Sequence, residues 1–433
     1  MPSKVYGVNL GSWLVLESWM LPQEWINMGG QQCNDCSQCI ATEFEFARAY
    51  PDTVDAKFAE HWSSWFNQSD VNDLVEAGIN TVRIPLGYWI VEALVDRKTE
   101  FYPRGGIHHL KRGLRELKDA GIVSILDHHA LPGVQTPGQM FTGRCTSDVE
   151  FYTEYNYHRA LVWTAVMTAL SHLDPDFSNV VAIEAVNEPI MNATQTPGYG
   201  DFQKNFVQVV RAVEYTLGIQ WNHVPWTWPK MTIITDTTNF TAALENAVPS
   251  PFLNPEVRSA LKDAVPILVQ IGLELGLNDM THTFGSHYSR EPLYTSFMDI
   301  NWQYNSPPNP SDAQMGPQAY DNHLYYSFGG VADPNEQAYM ESICSNSPLV
   351  FGEWALSTNF AATDEFLRKW ADAQKRAYTK GAGWIFWNFK VEISTLAGDL
   401  ARQWSYLEGV KRGFFTRDPS QLNDTHVCDG YIQ

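Results

Sequence analysis

No stretch of this 433-residue chain approaches the ~20 consecutive apolar residues that a membrane-spanning helix requires. Nor does the chain open on the apolar core of a secretory signal; "MPSKVYGVNL" reads as the start of a mature chain. Basic residues are scarce, with 29 Lys and Arg against 49 Asp and Glu and a formal net charge of −20. That balance excludes the basic patches by which proteins hold nucleic acid or anionic membranes, and it leaves a small or neutral partner. There is no low-complexity linker, no long run of one charge and no clear short-period repeat. No G-x-G-x-x-G follows the first strand-like segment, which argues against a doubly wound dinucleotide-binding sheet.

What the chain has in quantity is aromatic residues, 13 % of the total with 16 Trp, a supply that suits stacking on flat, weakly charged ligands such as sugars. Cysteine is sparse but even in number: Cys33, Cys36, Cys39, Cys145, Cys344 and Cys428. "CNDCSQC" has a spacing that could hold a metal with Cys145 as fourth ligand. Four N-x-S/T sequons, at Asn67, Asn192, Asn239 and Asn423, point instead to a secreted or cell-wall protein with disulfides. The expectation is no metal and no cofactor, with disulfides tying "CNDCSQC" to itself and to Cys145.

Apolar β-type runs recur along the chain, at 5–10, 80–86, 122–129, 180–188, 231–238, 318–326, 348–355 and 383–390. Between several of them lie amphipathic stretches that close on Gly, such as 69–78, 108–121 and 364–381. Near-continuous apolar strands alternating with helices mean a parallel sheet covered by helices, and eight of them predict a (β/α)8 TIM barrel. The expected organisation is one catalytic domain over 1–433, monomeric, with insertions at about 17–66 and 240–317 lining the cleft. The second insertion is Pro-rich and aromatic, and its Trp302 and Tyr304 are expected to carry leaving sugars.

Polar residues gather where the apolar runs end, which in a barrel is the mouth. The run over 80–86 carries Arg83, and 122–129 ends in Asp127, His128 and His129. Asn187 and Glu188 follow next, then His323 and Tyr325, Glu353, and Trp387. Any one of these could be a hydrogen-bonded core residue, but the pattern repeats at strand after strand. Two are carboxylates on opposite sides of the ring, the equipment of glycoside hydrolysis: one protonates the departing oxygen, the other meets the oxocarbenium-like carbon. Asn187 would hold a sugar 2-hydroxyl, Arg83 would keep Glu353 ionised, and His323 and Tyr325 would supply donors. Trp387 offers a floor for a pyranose ring. A metal hydrolase is the competing reading, but the adjacent histidines of "DHHA" point to opposite faces of a strand and cannot chelate one ion.

With these residues placed, the chain resembles glycoside hydrolase family 5, in particular its fungal exo-β-1,3-glucanase-like branch. "GVNLGSWLVLESWM", "NTVRIPLGYW", "IEAVNEP", "DNHLYY", "VFGEWA" and "GWIFWNFK" match that branch's motifs in order over most of the chain. The resemblance implies Glu188 as acid/base and Glu353 as nucleophile, with Arg83, His129, Asn187, His323, Tyr325 and Trp387 around the −1 sugar. It also implies Glu17 as a substrate-binding residue and a Cys344–Cys428 disulfide. After the third strand, "HALPGVQTPGQMFTGRC" lacks the branch's intact S-Q-N element. The expected function is retaining hydrolysis of β-1,3- and/or β-1,6-linked glucan, exo-acting because three bulky segments rim the mouth. The alternatives are a glycosidase of small β-glucosides or diglycosides, and a carbohydrate-binding barrel without catalysis. For the retaining mechanism the two carboxyl groups should lie ~5–5.5 Å apart.

Overall fold

The computed structural model describes residues 1–221, 241–277, 291–299, 308–328, 330–345 and 352–431. Among them, seven parallel strands form one curled sheet: β1 (Val5–Asn9), β2 (Thr81–Gly87), β3 (Val123–Ala130), β4 (Val180–Glu184), β5 (Tyr294–Met298), β6 (Gln318–Asp321) and β7 (Gly383–Phe386). Their order is β6-β5-β4-β3-β2-β1-β7, so chain neighbours are sheet neighbours and β7 returns to pair with β1. The run Gly352–Trp354 closes the remaining gap. His323 and Glu353 form a parallel bridge, and the Trp387 N–H donates to the Trp354 carbonyl at 2.8 Å. The architecture is the expected (β/α)8 barrel, with helices on the outer face.

Two separate apolar packings hold it. Outside the ring, Val82, Ile84, Leu86, Leu126 and Ile183 join one continuous core with the helices. Helix Gly106–Asp119 shows why: Ile107, Leu110, Leu114 and Leu117 repeat at helical spacing and are buried. Its Gly113 admits the Trp13 indole, which a Cβ there would meet at 2.4 Å. Inside the ring, Val5, Ile125, Ala182 and Ile385 form a small cluster of their own, the apolar floor beneath the mouth.

Strand boundaries differ from the sequence reading in informative ways. The run over 180–188 pairs only to Glu184, because the chain must leave the ladder to reach Pro189. The strand between β4 and β6 is Tyr294–Met298, from within the stretch expected as an insertion. That stretch also supplies helices Ala242–Ala247 and Pro255–Glu274, which pack on helices Glu154–Leu173 and Tyr199–Thr216. The run expected at 231–238, residues 348–351 of the run at 348–355, and Trp302 and Tyr304 lie outside the described residues.

Disulfides join Cys33 to Cys39, Cys36 to Cys145 and Cys344 to Cys428, which uses all six cysteines. "CNDCSQC" is thus tied to itself and to the loop after β3, as expected. No helix among the described residues is long and apolar enough to cross a membrane.

Candidate active site

The barrel mouth gathers side chains from nearly every strand end. Period-two alternation turns Asp127 and His129 into the ring and His128 outward, where it stacks on Trp163 at 4.0 Å. Arg83 on β2 is fully buried at the centre. Its Nε donates to Glu184 Oε2 at 2.8 Å, and one terminal nitrogen donates to Asn9 Oδ1 at 3.0 Å and Glu353 Oε1 at 2.8 Å. The other terminal nitrogen donates to Asn187 Oδ1 at 2.8 Å; Asp127 lies 3.1 Å from the first terminal nitrogen and Asp321 3.2 Å from Nε. A guanidinium presents five donors in a rigid fork, and here the fork touches residues from five segments of the ring.

Glu353 receives two donors and faces an imidazole. Besides Arg83, the Tyr325 hydroxyl donates to its Oε2 at 2.7 Å, and His323 Nδ1 lies 3.3 Å from the same oxygen. Glu188 faces it across the site, its Oε1 2.7 Å from His323 Nδ1. An oxygen of Glu188, the imidazole nitrogen and an oxygen of Glu353 all lie within 4.8 Å of one another. Glu188 has a left-handed backbone, φ 40°, and its carbonyl accepts from the Thr136 hydroxyl. Ser12 (φ 57°) and Val134 (φ 63°) share that sparsely populated region, in the loops after β1 and β3. Strain of this kind collects at functional sites because surrounding contacts hold it there. The Ser12 hydroxyl, for one, accepts from the Glu17 N–H at 3.0 Å and fixes that residue.

Burial with like charges nearby governs protonation. Burial pushes Glu353 up to about 8; His323 and Arg83 pull against it, and Glu188 adds to the rise. Glu17 is also pushed up to about 8, by burial first, although the Trp19 indole N–H donates to its Oε2 at 2.9 Å. Burial raises Asp127 to about 7 and Glu184 well above the carboxylate range, in both cases against the pull of Arg83. Burial alone would lower His323, but the carboxylates of Glu353, Asp321 and Glu188 overcome it and raise the imidazole well above its ordinary value. The centre therefore holds two cations among a larger number of carboxyl groups, several of which keep their protons.

Among the described residues, two groups come close enough to ligate an ion, Glu188–His323–Glu353 and Asp35–Cys36–Cys145. In the first, the imidazole Nδ1 is already engaged at 2.7 Å by Glu188 Oε1 and lies 3.3 Å from Glu353 Oε2. In the second both sulfurs are consumed by the Cys36–Cys145 bond. Neither donor set suits a resident metal.

Glu17, Arg83, His129, Asn187, Glu188, His323, Tyr325, Glu353 and Trp387 gather at this mouth, whereas His128 points outward. Trp387 is buried at the end of β7, parallel to the His129 ring at 5.7 Å and 8°, and Gly11 makes room for it. His129 Nδ1 lies 2.5 Å from Asp127 Oδ2. Sequence reasoning gave no role to Asn9, Glu184, Asp321 or Gln135. The Gln135 amide donates to the His129 and Asn187 carbonyls at 2.7 and 3.0 Å, fixing both loops. The available signal was a lone polar residue within an apolar run, as Glu184 is in "VAIEAV".

Chemically, Glu353 receives two donors beside an imidazole; burial holds its proton up to about 8, and once ionised it is the group placed for attack. Glu188 is partly exposed and has one imidazole contact, which suits proton exchange with a leaving group. One oxygen of each lies within 4.8 Å of the other, closer than the ~6.5–9.5 Å that inverting enzymes keep between their carboxyl groups.

Comparison with known proteins places the chain among glycoside hydrolases. The family described as Cellulase (glycosyl hydrolase family 5) matches residues 45–263. The chain is 30% identical over 444 residues to "Glucan endo-1,6-beta-glucosidase B" of Emericella nidulans, covering 98% of this chain and 88% of that protein. It is 25% identical to "Probable glucan 1,3-beta-glucosidase A" of Neosartorya fischeri, covering 97% and 88%. Its fold is similar to the crystal structure of rutinosidase from Aspergillus niger, with a TM-score of 0.59 at 17% identity, covering 95% and 97%.

Proposed function

From the premise that the chain belongs to glycosyl hydrolase family 5, we propose that it hydrolyses β-linked glucan by double displacement with retention. Glu353 attacks the anomeric carbon while Glu188 gives its proton to the departing oxygen. Glu188 then draws the proton from water, which releases the sugar from Glu353. Arg83, Tyr325 and His323 hold the nucleophile, Asn187 faces the 2-hydroxyl, His129 and Glu17 bind the sugar and Trp387 floors it. The observation that supports this reading is the approach of Glu188 and Glu353 through His323, within 4.8 Å.

β-1,6-Glucan is the first substrate and β-1,3-glucan the second, following the names of the relatives at 30% and 25% identity. The first name also favours cleavage within the chain. Release from chain ends is the second reading, supported by the Cys36–Cys145 bond, which fixes the 136–145 segment as a wall beside His129. Early products from end-labelled gentio-oligosaccharides separate the two: a ladder of mid-length fragments or only mono- and disaccharide. We read the protein as a secreted monomer with one catalytic domain.

Glu188→Gln tests the roles. It should lower kcat/KM steeply on glucan and spare kcat/KM on 2,4-dinitrophenyl β-glucoside, whose leaving group needs no proton in the first step. Equal loss on both substrates contradicts the assignment.

A further inference from the structure

Glu188 is held in a backbone conformation that it would not keep alone. Its φ of 40° lies in the left-handed region, and it stands directly before Pro189, which restricts the residue preceding it. Pro189 has no N–H with which to brace the turn, and β4 ends at Glu184, before this stretch begins. The Glu188 side chain adds little restraint. It is partly exposed, with His323 Nδ1 at 2.7 Å as its one hydrogen-bond partner among the described residues. The aim of its carboxyl therefore depends on what holds the chain from Asn187 to Ile190.

Those holds come from the neighbouring strand and the segment that follows it. The Asn187 N–H donates to the His128 carbonyl at 3.1 Å, and the Asn187 carbonyl accepts from the Gln135 amide at 3.0 Å. The Thr136 hydroxyl donates to the Glu188 carbonyl. Beyond the proline, the Ile190 N–H donates to the Tyr152 hydroxyl at 2.7 Å, and that hydroxyl donates in turn to the Gln135 carbonyl at 2.9 Å. One phenol thus joins the chain just after the acid/base to the loop after β3. Tyr152 is buried, its ring edge-on to Phe151 at 5.2 Å and to Tyr199 at 6.0 Å, so its hydroxyl is a fixed point. Neither Tyr152 nor Thr136 has a part in the chemistry above.

An acid/base has a stricter geometrical task than a residue that only binds. Its oxygen must meet the departing oxygen in the first step and a water in the second, and a misplacement of ~1 Å can cost about a hundredfold in rate. A strained backbone left to itself would relax and carry the carboxyl with it. We propose that Tyr152 and Thr136 are positioning residues for Glu188: they hold the strained chain on both sides of Pro189 and so aim the carboxyl at the leaving oxygen. This rests on the reading of Glu188 as the acid/base of a retaining glycosidase and adds the residues that keep it on target. Glu353 is held separately, by Arg83 and Tyr325, so the two carboxyl groups can be perturbed one at a time.

Tyr152→Phe and Thr136→Val each remove one hydroxyl and nearly keep the volume. Each should lower kcat/KM on β-1,6-glucan about tenfold. On 2,4-dinitrophenyl β-glucoside the first step needs no proton, so kcat/KM should stay within about twofold of the wild type. On that substrate kcat and KM should fall together, because Glu188 returns as base in the second step and the glycosyl-enzyme accumulates. Equal losses of kcat/KM on both substrates overturn the proposal, since a loosened barrel would serve Glu353 as badly as Glu188. Unchanged kcat/KM on glucan in both variants overturns it too and leaves the glycosidase reading intact. A Glu188→Gln enzyme that loses both substrates equally, or a wild type that cleaves neither, overturns the functional reading and this inference together.

Discussion

Tyr325→Phe removes one oxygen and changes little else, so its effect on Glu353 can be worked from the contacts. The hydroxyl donates to Glu353 Oε2 at 2.7 Å, on the same oxygen that His323 faces at 3.3 Å, while Arg83 serves Oε1. A hydrogen bond to a charged group is worth about 1.5–3 kcal/mol. One pKa unit corresponds to about 1.36 kcal/mol, so losing the whole bond would raise the carboxyl by about 1–2 units. Arg83 and His323 remain and absorb part of the loss, which places the shift near the lower end, about one unit. The sign follows from the form that is stabilised. The phenol stabilises the carboxylate, burial already holds the acid form up to about 8, and removing the phenol raises it further. Activity that needs the anion therefore appears at higher pH. The assay is kcat/KM against pH on 2,4-dinitrophenyl β-glucoside, because that leaving group removes Glu188 from the first step. A rising limb that stays within ~0.3 unit of the wild type would refute Glu353 as the group titrating under Tyr325's control.

Two further outcomes follow from the frame around the site. Gly352→Ala would put a methyl 1.6 Å from Asp321 Oδ1, so Asp321, and through it Arg83 and His323, must move. A destabilisation of about 1–3 kcal/mol or more in urea unfolding is expected together with loss of activity, and an unchanged unfolding curve would contradict the packing. Replacing Cys344 and Cys428 by Ser opens a link of sequence separation 84 and should cost about 4.5 kcal/mol on chain-entropy grounds, with activity at 25 °C retained. A loss below ~1 kcal/mol would show that the C-terminal segment is held by other contacts.

The sequence made the ends of the strands legible, less so their interiors. Arg83, His129, Asn187, Glu188, His323, Glu353 and Trp387 stand out because each breaks an apolar run near its C-terminal end, where a barrel needs polar groups. Glu184, Asp127 and Asp321 complete the setting of Arg83, but each needs a cation on a different strand to explain it. Arg83 on β2 is that cation for all three, reaching Asp127, Glu184 and Asp321 at 3.1, 2.8 and 3.2 Å. Short strands hide more easily. "YTSFM" is five residues with one strong apolar pair, and its surroundings rich in Pro and aromatics masked it. Its role in the sheet comes from pairing with β4 and β6, a long-range fact.

Arg83 spans Asn9, Asp127, Glu184, Asp321 and Glu353, and so measures the roundness of the barrel from inside. Any strand that tilts or slips alters the distance from its own carboxylate to that single fork. The fork can follow only by loosening its hold on the others, Glu353 included. Mechanical integrity and nucleophile position are thereby one variable, and the barrel cannot breathe without detuning its own chemistry. Variation in this lineage is then confined by geometry: the loops above the mouth are free to change which sugar is admitted, while the ring of acids around one arginine must change together or not at all.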